Sequence, residues 1–173
     1  MTKSEIIARH IRKWEGGYAN IPDDKGGPTK WGITIGTYRY YFGKEKTVQD
    51  LKNMTEKEWV YIFKYVFYNP AKIAEVNNLS LSMLIMDICW MSGRITAIKK
   101  IQRAIGTTPD GIVGPKTLKI LNDFPEWSFN QIYQMRYAWF KAIVEKNPTQ
   151  KKFLRGWLRR LNSVTYQSTS TDN

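Results

Sequence analysis

Apolar residues recur at helical spacing near the N-terminus, and this spacing predicts a helix over residues 3–14. The apolar stripe of this helix consists of Ile7, Ile11 and Trp14. Thr2 and Glu5 have the spacing of a capping box at its start. Because paired glycines end a helix, we expect it to stop before Gly16.

Residues 16–33 break the helical pattern with several glycines and two prolines. Such a segment predicts an irregular loop or a small twisted β-hairpin. Long irregular loops within compact domains often carry function, so residues 16–33 are a candidate location for the chemistry of the protein.

The rest of the chain returns to helical periodicity, so the predicted fold class is mainly α. The predicted helices cover residues 35–42, 55–68, 79–91, 94–105, 128–145 and 149–163. Residues 79–91 are apolar nearly all round, which predicts a buried central helix. In the next helix, one face is formed by Ile95, Ile98, Ile101 and Ile105. Because no Ser/Pro/Gly-rich linker divides the chain, we expect the C-terminal helices to pack on the N-terminal half.

Charge adds a preference for anionic partners. The chain of 173 residues has 27 Lys and Arg against 15 Asp and Glu, a formal charge of +12. This charge favours nucleic acid, an anionic membrane face or the bacterial wall, or it serves only solubility. The basic residues cluster only over residues 151–160, and no nucleic-acid-binding motif accompanies them, so we expect no nucleic-acid partner.

The residue inventory excludes several kinds of catalysis. With His10 and Cys89 as the only histidine and cysteine, a catalytic zinc site lacks ligands, and a Ser or Cys nucleophile would have to share one histidine. Cys89 lies in an apolar run, which predicts a buried and unreactive thiol. We expect no metal and no organic cofactor. Carboxylates remain for catalysis, and they favour the acid chemistry of glycosidases.

Targeting signals are not visible in the sequence. The N-terminal residues lack the apolar segment of a signal peptide, and no apolar run is long enough to span a membrane. We therefore expect a protein made in the cytoplasm without membrane insertion.

Glu15 is the first candidate for chemistry. It ends the first predicted helix and precedes Gly16 and Gly17, which let a ligand approach the backbone closely. Trp14 and Tyr18 can partly desolvate its carboxyl and so favour the protonated form of a general acid. The same pattern also fits a solvated glutamate at a helix end.

A family signature extends around this residue. The runs are Glu15-Gly16-Gly17-Tyr18, Asp24-Lys25-Gly26-Gly27-Pro28-Thr29 and Gly32-Ile33-Thr34. In order and spacing they resemble the N-terminal signature of glycoside hydrolase family 108, which contains phage and bacterial N-acetylmuramidases. The resemblance implies a lysozyme-like fold and catalysis by Glu15. It also implies hydrolysis of the β-1,4 bond between N-acetylmuramic acid and N-acetylglucosamine in peptidoglycan. Ile21 stands where the family usually has an aspartate, so no second carboxylate is expected there.

Asp24 is the second catalytic candidate. Small phage lysozymes also have an aspartate nine residues after the glutamate and a Gly-Ile pair beyond it, which here is Gly32-Ile33. This looser similarity implies that Asp24 stabilises positive charge on the sugar or positions water. Alternatively, Asp24 is a turn residue that bonds its own backbone. The sequence does not distinguish a retaining from an inverting mechanism.

Four further residues are candidates for substrate binding. They are Tyr18, Thr29, Trp31 and Thr34. The aromatic rings can stack on sugars or belong to the core. The hydroxyls can hold a water or a sugar hydroxyl, and Thr34 can equally cap the following helix.

A second resemblance covers the C-terminal half. Residues 87–93, 101–106 and 110–117 resemble the predicted peptidoglycan-binding region that accompanies the family. The implied domains are a catalytic region over 1–92, a helical binding region over 93–163 packed on it, and a polar tail over 164–173. Within the binding region, Gly111 and Gly114 predict a tight turn, and we expect Thr117 near the start of the next helix. On its apolar helix, Asp87 needs a cationic partner and is interpreted as structural.

Together the resemblances imply an endolysin-like muramidase of phage or prophage origin. Its partner would be peptidoglycan, reached after release by another factor, and we expect a monomer. The alternative is a catalytically inactive wall-binding or secretion-associated protein of the same fold.

Overall fold

A computed structural model describes residues 1–20 and 27–168. The chain divides into two compact units, Met1–Val66 and Phe67–Asn173. Nine α-helices and one small antiparallel sheet lie in the described ranges, which confirms the predicted mainly α, lysozyme-like fold class. None of the helices in these ranges is long and apolar enough to cross a bilayer.

The first unit combines four helices with the small sheet. Its elements are α1 (Lys3–Arg12), β1 (Tyr18–Ala19), β2 (Thr29–Lys30), β3 (Ile33–Thr34), α2 (Ile35–Phe42), α3 (Val48–Lys52) and α4 (Glu56–Phe63). The predicted hairpin is therefore a three-stranded sheet of order β1-β2-β3. A π-helical segment, Lys64–Tyr68, follows α4.

Three helices of this unit begin with the same capping box. The pairs are Thr2 with Glu5, Thr47 with Asp50 and Thr55 with Glu58. In each pair the threonine hydroxyl accepts from a backbone N–H, and the carboxylate accepts from the N–H of the threonine. The sequence predicted the first and third boxes. It missed α3, whose five residues are too few to show periodicity.

Side chains from all four helices form the core of the first unit. The fully buried residues include Ile7, Ile11, Tyr38, Leu51, Met54, Trp59, Ile62 and Phe63. Trp59 stacks on Phe63, with ring centroids 5.5 Å apart. The indole N–H of Trp59 donates to the backbone oxygen of Trp31 at 2.9 Å, which ties the β2–β3 turn to α4.

The second unit is helical. Its elements are α5 (Leu79–Ser92), α6 (Arg94–Ala104), α7 (Pro115–Asp123), α8 (Pro125–Lys146) and α9 (Lys151–Leu161), with short 3-10 turns at Ile73–Glu75 and Pro148–Gln150. Nine residues of α5 are buried, as expected for a central helix. The expected helix that starts near Thr117 is α7, and proline in its first turn is a common start signal.

The predicted apolar face of α6 is correct except at its start. Ile98, Ile101 and Ile105 are buried, whereas Ile95 is 54% exposed. Ile95 belongs to the first turn, and its side chain lies beside Gly111 instead of entering the core.

Buried charge joins α5 to α9. The Arg160 guanidinium donates to the Asp87 carboxylate at 2.8 Å, and both side chains are nearly inaccessible. Burial raises the pKa of Asp87, and Arg160 and then Arg136 act in the opposite direction. Arg136 donates to the hydroxyl of Ser92 at 2.9 Å, and burial lowers its pKa to about 10. Asp87 therefore has the cationic partner that its apolar helix requires.

Cys89 lies in the middle of the same helix. It is fully buried, and burial raises the pKa of its thiol to about 12. Because the thiolate is the reactive form, the predicted unreactive thiol agrees with this position.

Candidate active site

The end of α1 places Glu15. After Arg12, two turn hydrogen bonds continue the chain: Trp14 N–H donates to Ile11 O at 3.0 Å, and Glu15 N–H donates to Arg12 O at 3.3 Å. The Arg12 guanidinium also donates to the backbone oxygen of Glu15 at 3.4 Å. Glu15 is thus held half-buried at the helix end.

The two glycines after Glu15 border open space. Both are exposed, and among the described residues no heavy atom lies within 4 Å of a Cβ built on Gly16 or Gly17. Trp31 N–H donates to Gly17 O at 3.4 Å and anchors this segment to the sheet. Side chains in the described part of the chain therefore leave the backbone beside Glu15 open to a ligand.

The sheet brings the predicted substrate-binding residues together. Tyr18 on β1 pairs with Lys30 on β2, and Thr29 on β2 pairs with Thr34 on β3. Trp31 lies in the turn between β2 and β3. Five of the six sequence-predicted site residues therefore share one short segment of the first unit. The sixth, Asp24, lies outside the described residues.

Two cations contact the Trp31 ring. The Arg12 guanidinium lies 3.7 Å from the ring centroid, and the Lys30 amine lies 4.2 Å from it. Lys30 also donates to the backbone oxygens of Lys52 and Met54, the latter at 2.9 Å. Sequence reasoning did not select Arg12 or Lys30, because α1 and β2 meet only in the fold. The position of Lys30 directly before Trp31 was the available signal.

Partial burial and mutual repulsion shape the charges at this site. Burial lowers the pKa of Arg12, and the carboxylates of Glu56 and Glu15 counteract that effect. Burial also lowers the pKa of Lys30, and the neighbouring Arg12 lowers it further. The Glu15 carboxyl thus lies in the field of Arg12, beside a positively charged patch suited to anionic groups.

The aromatic and hydroxyl candidates have local structural roles. The Thr34 hydroxyl accepts from Thr37 N–H at 3.1 Å and caps α2, which confirms the capping alternative. Tyr18 is 36% exposed, and the Lys52 amine lies 4.7 Å from its ring centroid. Thr29 is half-buried. Contact of these residues with a substrate stays a prediction.

The Gln102 side chain holds the predicted tight turn around Gly111 through hydrogen bonds. The buried Gln102 amide donates to the Asp110 carboxylate at 2.8 Å and to Ile112 O at 2.9 Å, and its oxygen accepts from Gly111 N–H at 2.8 Å. Gly111 has φ +84°, which L side chains rarely adopt. The predicted tight turn is confirmed, and Thr117 lies in the first part of α7.

Comparisons with known proteins match both halves of the chain. Residues 8–93 match the model of the family described as "Glycosyl hydrolase 108", and residues 96–162 match that of the "Predicted Peptidoglycan domain". A solved structure titled "Structure of Brucella abortus SagA" is 26% identical. It superposes with a TM-score of 0.74 over 93% of this chain and 90% of that chain. No curated protein sequence matches the chain.

The two family models follow one another in the order expected from the sequence and together cover most of the chain. They support a glycosidase that acts on peptidoglycan. The chain belongs to glycoside hydrolase family 108, and a predicted peptidoglycan domain forms its C-terminal part.

Proposed function

We propose that the protein is an N-acetylmuramidase that hydrolyses the β-1,4 bond between N-acetylmuramic acid and N-acetylglucosamine, with Glu15 as the general acid. The observation that carries the proposal is the position of Glu15. It is half-buried at the end of α1, beside two glycines that border open space, within the segment that matches the family.

In the proposed reaction, Glu15 gives its proton to the glycosidic oxygen as the C–O bond breaks. Positive charge then develops at the anomeric carbon and ring oxygen. Water then attacks the anomeric carbon, either directly, with its proton passing to the partner carboxylate, or after a transient covalent bond to that carboxylate, which water breaks while its proton passes back to Glu15. The product has a new reducing end. Asp24 is the proposed partner carboxylate.

The cations beside Trp31 suit this substrate. Peptidoglycan carries carboxylates on its stem peptides, and on the lactyl group of N-acetylmuramic acid where no peptide is attached. Arg12 and Lys30 present positive charge close to Glu15, so an anionic sugar would be favoured over a neutral one at this site. This preference supports a wall glycan over chitin as the substrate.

The decisive experiment compares Glu15→Gln with Glu56→Gln on purified sacculi. Gln keeps the size and helix propensity of Glu but cannot donate a catalytic proton. Glu56 is an apt control because its carboxylate, like that of Glu15, raises the pKa of Arg12. We expect Glu15→Gln to lower glycan cleavage by about 10²–10⁴-fold and Glu56→Gln to leave it near the wild-type rate.

Thermal unfolding and binding to sacculi provide the controls for folding. Both should be unchanged in Glu15→Gln. If this variant melts like the wild type and still cleaves at the wild-type rate, Glu15 is not the acid. If the wild type binds sacculi but releases no sugar, the protein is a wall-binding member of the fold without activity.

Mass spectrometry of the products identifies the bond. A muramidase leaves reducing N-acetylmuramic acid ends. Reducing N-acetylglucosamine ends would indicate cleavage of the other glycosidic bond. A 1,6-anhydro sugar would indicate that the sugar's own 6-hydroxyl, and not water, attacks the anomeric carbon. Either of these two products would contradict the proposed reaction.

A further inference from the structure

Helix α9 presents two chemically different faces. Its inner face packs on α8: Leu161 and Arg160 are buried, and Trp157 stacks on Phe140 with ring centroids 5.2 Å apart. Its outer face is exposed and carries Lys151, Arg155 and Arg159 at intervals of one helical turn.

The charge of the outer face has one sign. Five cations and no Asp or Glu occur in the sequence of α9. One of the five, Arg160, points inward to Asp87. It is therefore not part of the surface cluster that the sequence alone suggested. The four surface cations are Lys151, Lys152, Arg155 and Arg159. We call them the cationic row.

Apolar side chains border the cationic row. Leu154 and Leu158 are only half-buried and line the same shallow groove as Lys151 and Arg155, and none of the described residues that line this groove is acidic. At the start of the helix, the Phe153 side chain is 46% exposed. Cations beside accessible leucines are typical of helices that lie in the headgroup region of a bilayer.

We propose that the outer face of α9 adsorbs to the surface of an anionic phospholipid bilayer. The cationic row contacts lipid phosphates, and the bordering leucines reach the boundary of the acyl chains. The helix has 11 residues and a length of about 16 Å, about half the hydrocarbon thickness, so it lies on the membrane and does not span it. This binding is separate from glycan cleavage and does not depend on Glu15.

The half-exposed leucines favour lipid over another polyanion. A nucleic acid or an anionic polymer needs only the cations, because it offers phosphates without an adjoining apolar layer. A bilayer surface offers phosphates and an apolar layer within the width of one helix face. Binding to a bilayer should therefore depend on Leu154 and Leu158, whereas binding to a polyanion should not.

The test uses the full-length protein and sedimentation with vesicles. One set contains phosphatidylglycerol in phosphatidylcholine, and the other is phosphatidylcholine alone. The test variant combines Lys151→Gln, Arg155→Gln and Arg159→Gln. A control of equal net charge combines Lys44→Gln, Arg103→Gln and Lys141→Gln, which are exposed outside α9. We expect the test variant to bind anionic vesicles on the order of 100-fold more weakly and the control to bind within a few-fold of the wild type.

Equal losses in the two triple variants, or equal binding to both vesicle types, would overturn the proposal. A second variant with Leu154→Ala and Leu158→Ala keeps every charge. We expect it to weaken vesicle binding while binding to a DNA duplex stays unchanged. If its vesicle binding is also unchanged, the face is a polyanion site and not a membrane site. Thermal unfolding of each variant identifies any loss that comes from misfolding, and the charge variants alter only exposed side chains.

Discussion

At the scale of single residues, Trp31 has a role in packing that its sequence position does not reveal. Its φ of 52° lies in the left-handed region, which costs a non-glycine residue about 1–2 kcal/mol. The hydrogen bond from Trp59 to its backbone oxygen and the cations on its ring offset this cost. Trp31 therefore organises the contact of α1, the sheet and α4. Stacking on a sugar would have to occur with those cations in place.

Asp24 provides a prediction that depends on charge alone. If its carboxylate stabilises the developing positive charge or positions water, Asp24→Asn should lower turnover by at least about tenfold while leaving the melting temperature unchanged. Release of reducing ends from sacculi measures the first quantity, and calorimetry measures the second.

The neighbouring Asp23 is a suitable control, because Asp23→Asn makes the same chemical change one position away. Full activity of Asp24→Asn would make Asp24 a turn residue. Equal losses in both variants would indicate a general charge effect of the segment and not a catalytic role for Asp24.

At the scale of elements, the capping boxes of the first unit predict acid sensitivity. Hydrogen bonds from Thr2 lower the pKa of Glu5, and those from Thr47 lower the pKa of Asp50. Burial raises the pKa of Glu58, but its bonds from Thr55 and Tyr38 prevail and lower it. Since each folded-state pKa is depressed, the unfolded state binds more protons in acid. The stability from these groups is present above their ordinary values of 4.5 and 3.8 and is lost as pH falls further.

Replacing the three capping threonines by alanine tests this origin of acid sensitivity. Each substitution should cost about 1 kcal/mol at neutral pH. The free energy of unfolding should then fall less steeply with acid than in the wild type. Thr149→Ala is the control, because that hydroxyl donates to neutral Asn147. Parallel pH profiles for the wild type and the triple variant would contradict the prediction.

The same elements show what the sequence could predict. Long helices with one apolar stripe, such as α1, could be predicted from the sequence, because the residues that pack in the core recur at the helical period. The five-residue α3 carried no period, and only its Thr47–Asp50 spacing marked it. Each of the three strands has only two residues, too few to show an alternation of apolar and polar positions, so no local pattern fixed their register. The site followed the same division: Glu15 came from a motif, whereas Arg12 and Lys30 became visible only in the fold.

At the scale of the whole molecule, family boundaries and compact units differ. The family models divide the chain between residues 93 and 96. The compact units divide between Val66 and Phe67, within the segment that matches family 108. Helix α5 causes the difference, because it packs closely with α6 and α8 although it matches the first family. Packing of the whole second region on the first stays a prediction.

The formal charge of +12 predicts how the molecule meets its substrate. If the basic surface attracts the protein to an anionic wall, its affinity for sacculi should fall as salt rises, because exposed charges are screened beyond about 8 Å at physiological ionic strength. Sedimentation with sacculi across a salt series measures this effect. An affinity that does not change with salt would leave the charge as a solubility feature.

The rate at which the buried Cys89 is alkylated measures how often the second unit opens. As the only cysteine of the chain, fully enclosed in α5, it can meet a thiol reagent only when the packing around that helix gives way. In native buffer, alkylation should therefore be slower than for a free thiol by at least about a thousandfold. When opening is rapid and reversible, the ratio of the two rates gives the fraction of molecules that are open.

The ratio of the two alkylation rates therefore measures opening of the second unit without an added label. A substitution that loosens this unit, such as Asp87→Asn, should accelerate alkylation, whereas Glu15→Gln should leave the rate unchanged. Rapid alkylation of the native protein would show that the enclosure of Cys89 is breached by small local motions. If alkylation of the native protein is slow, the alkylation rate of Cys89 gives the frequency at which the packing around α5 opens.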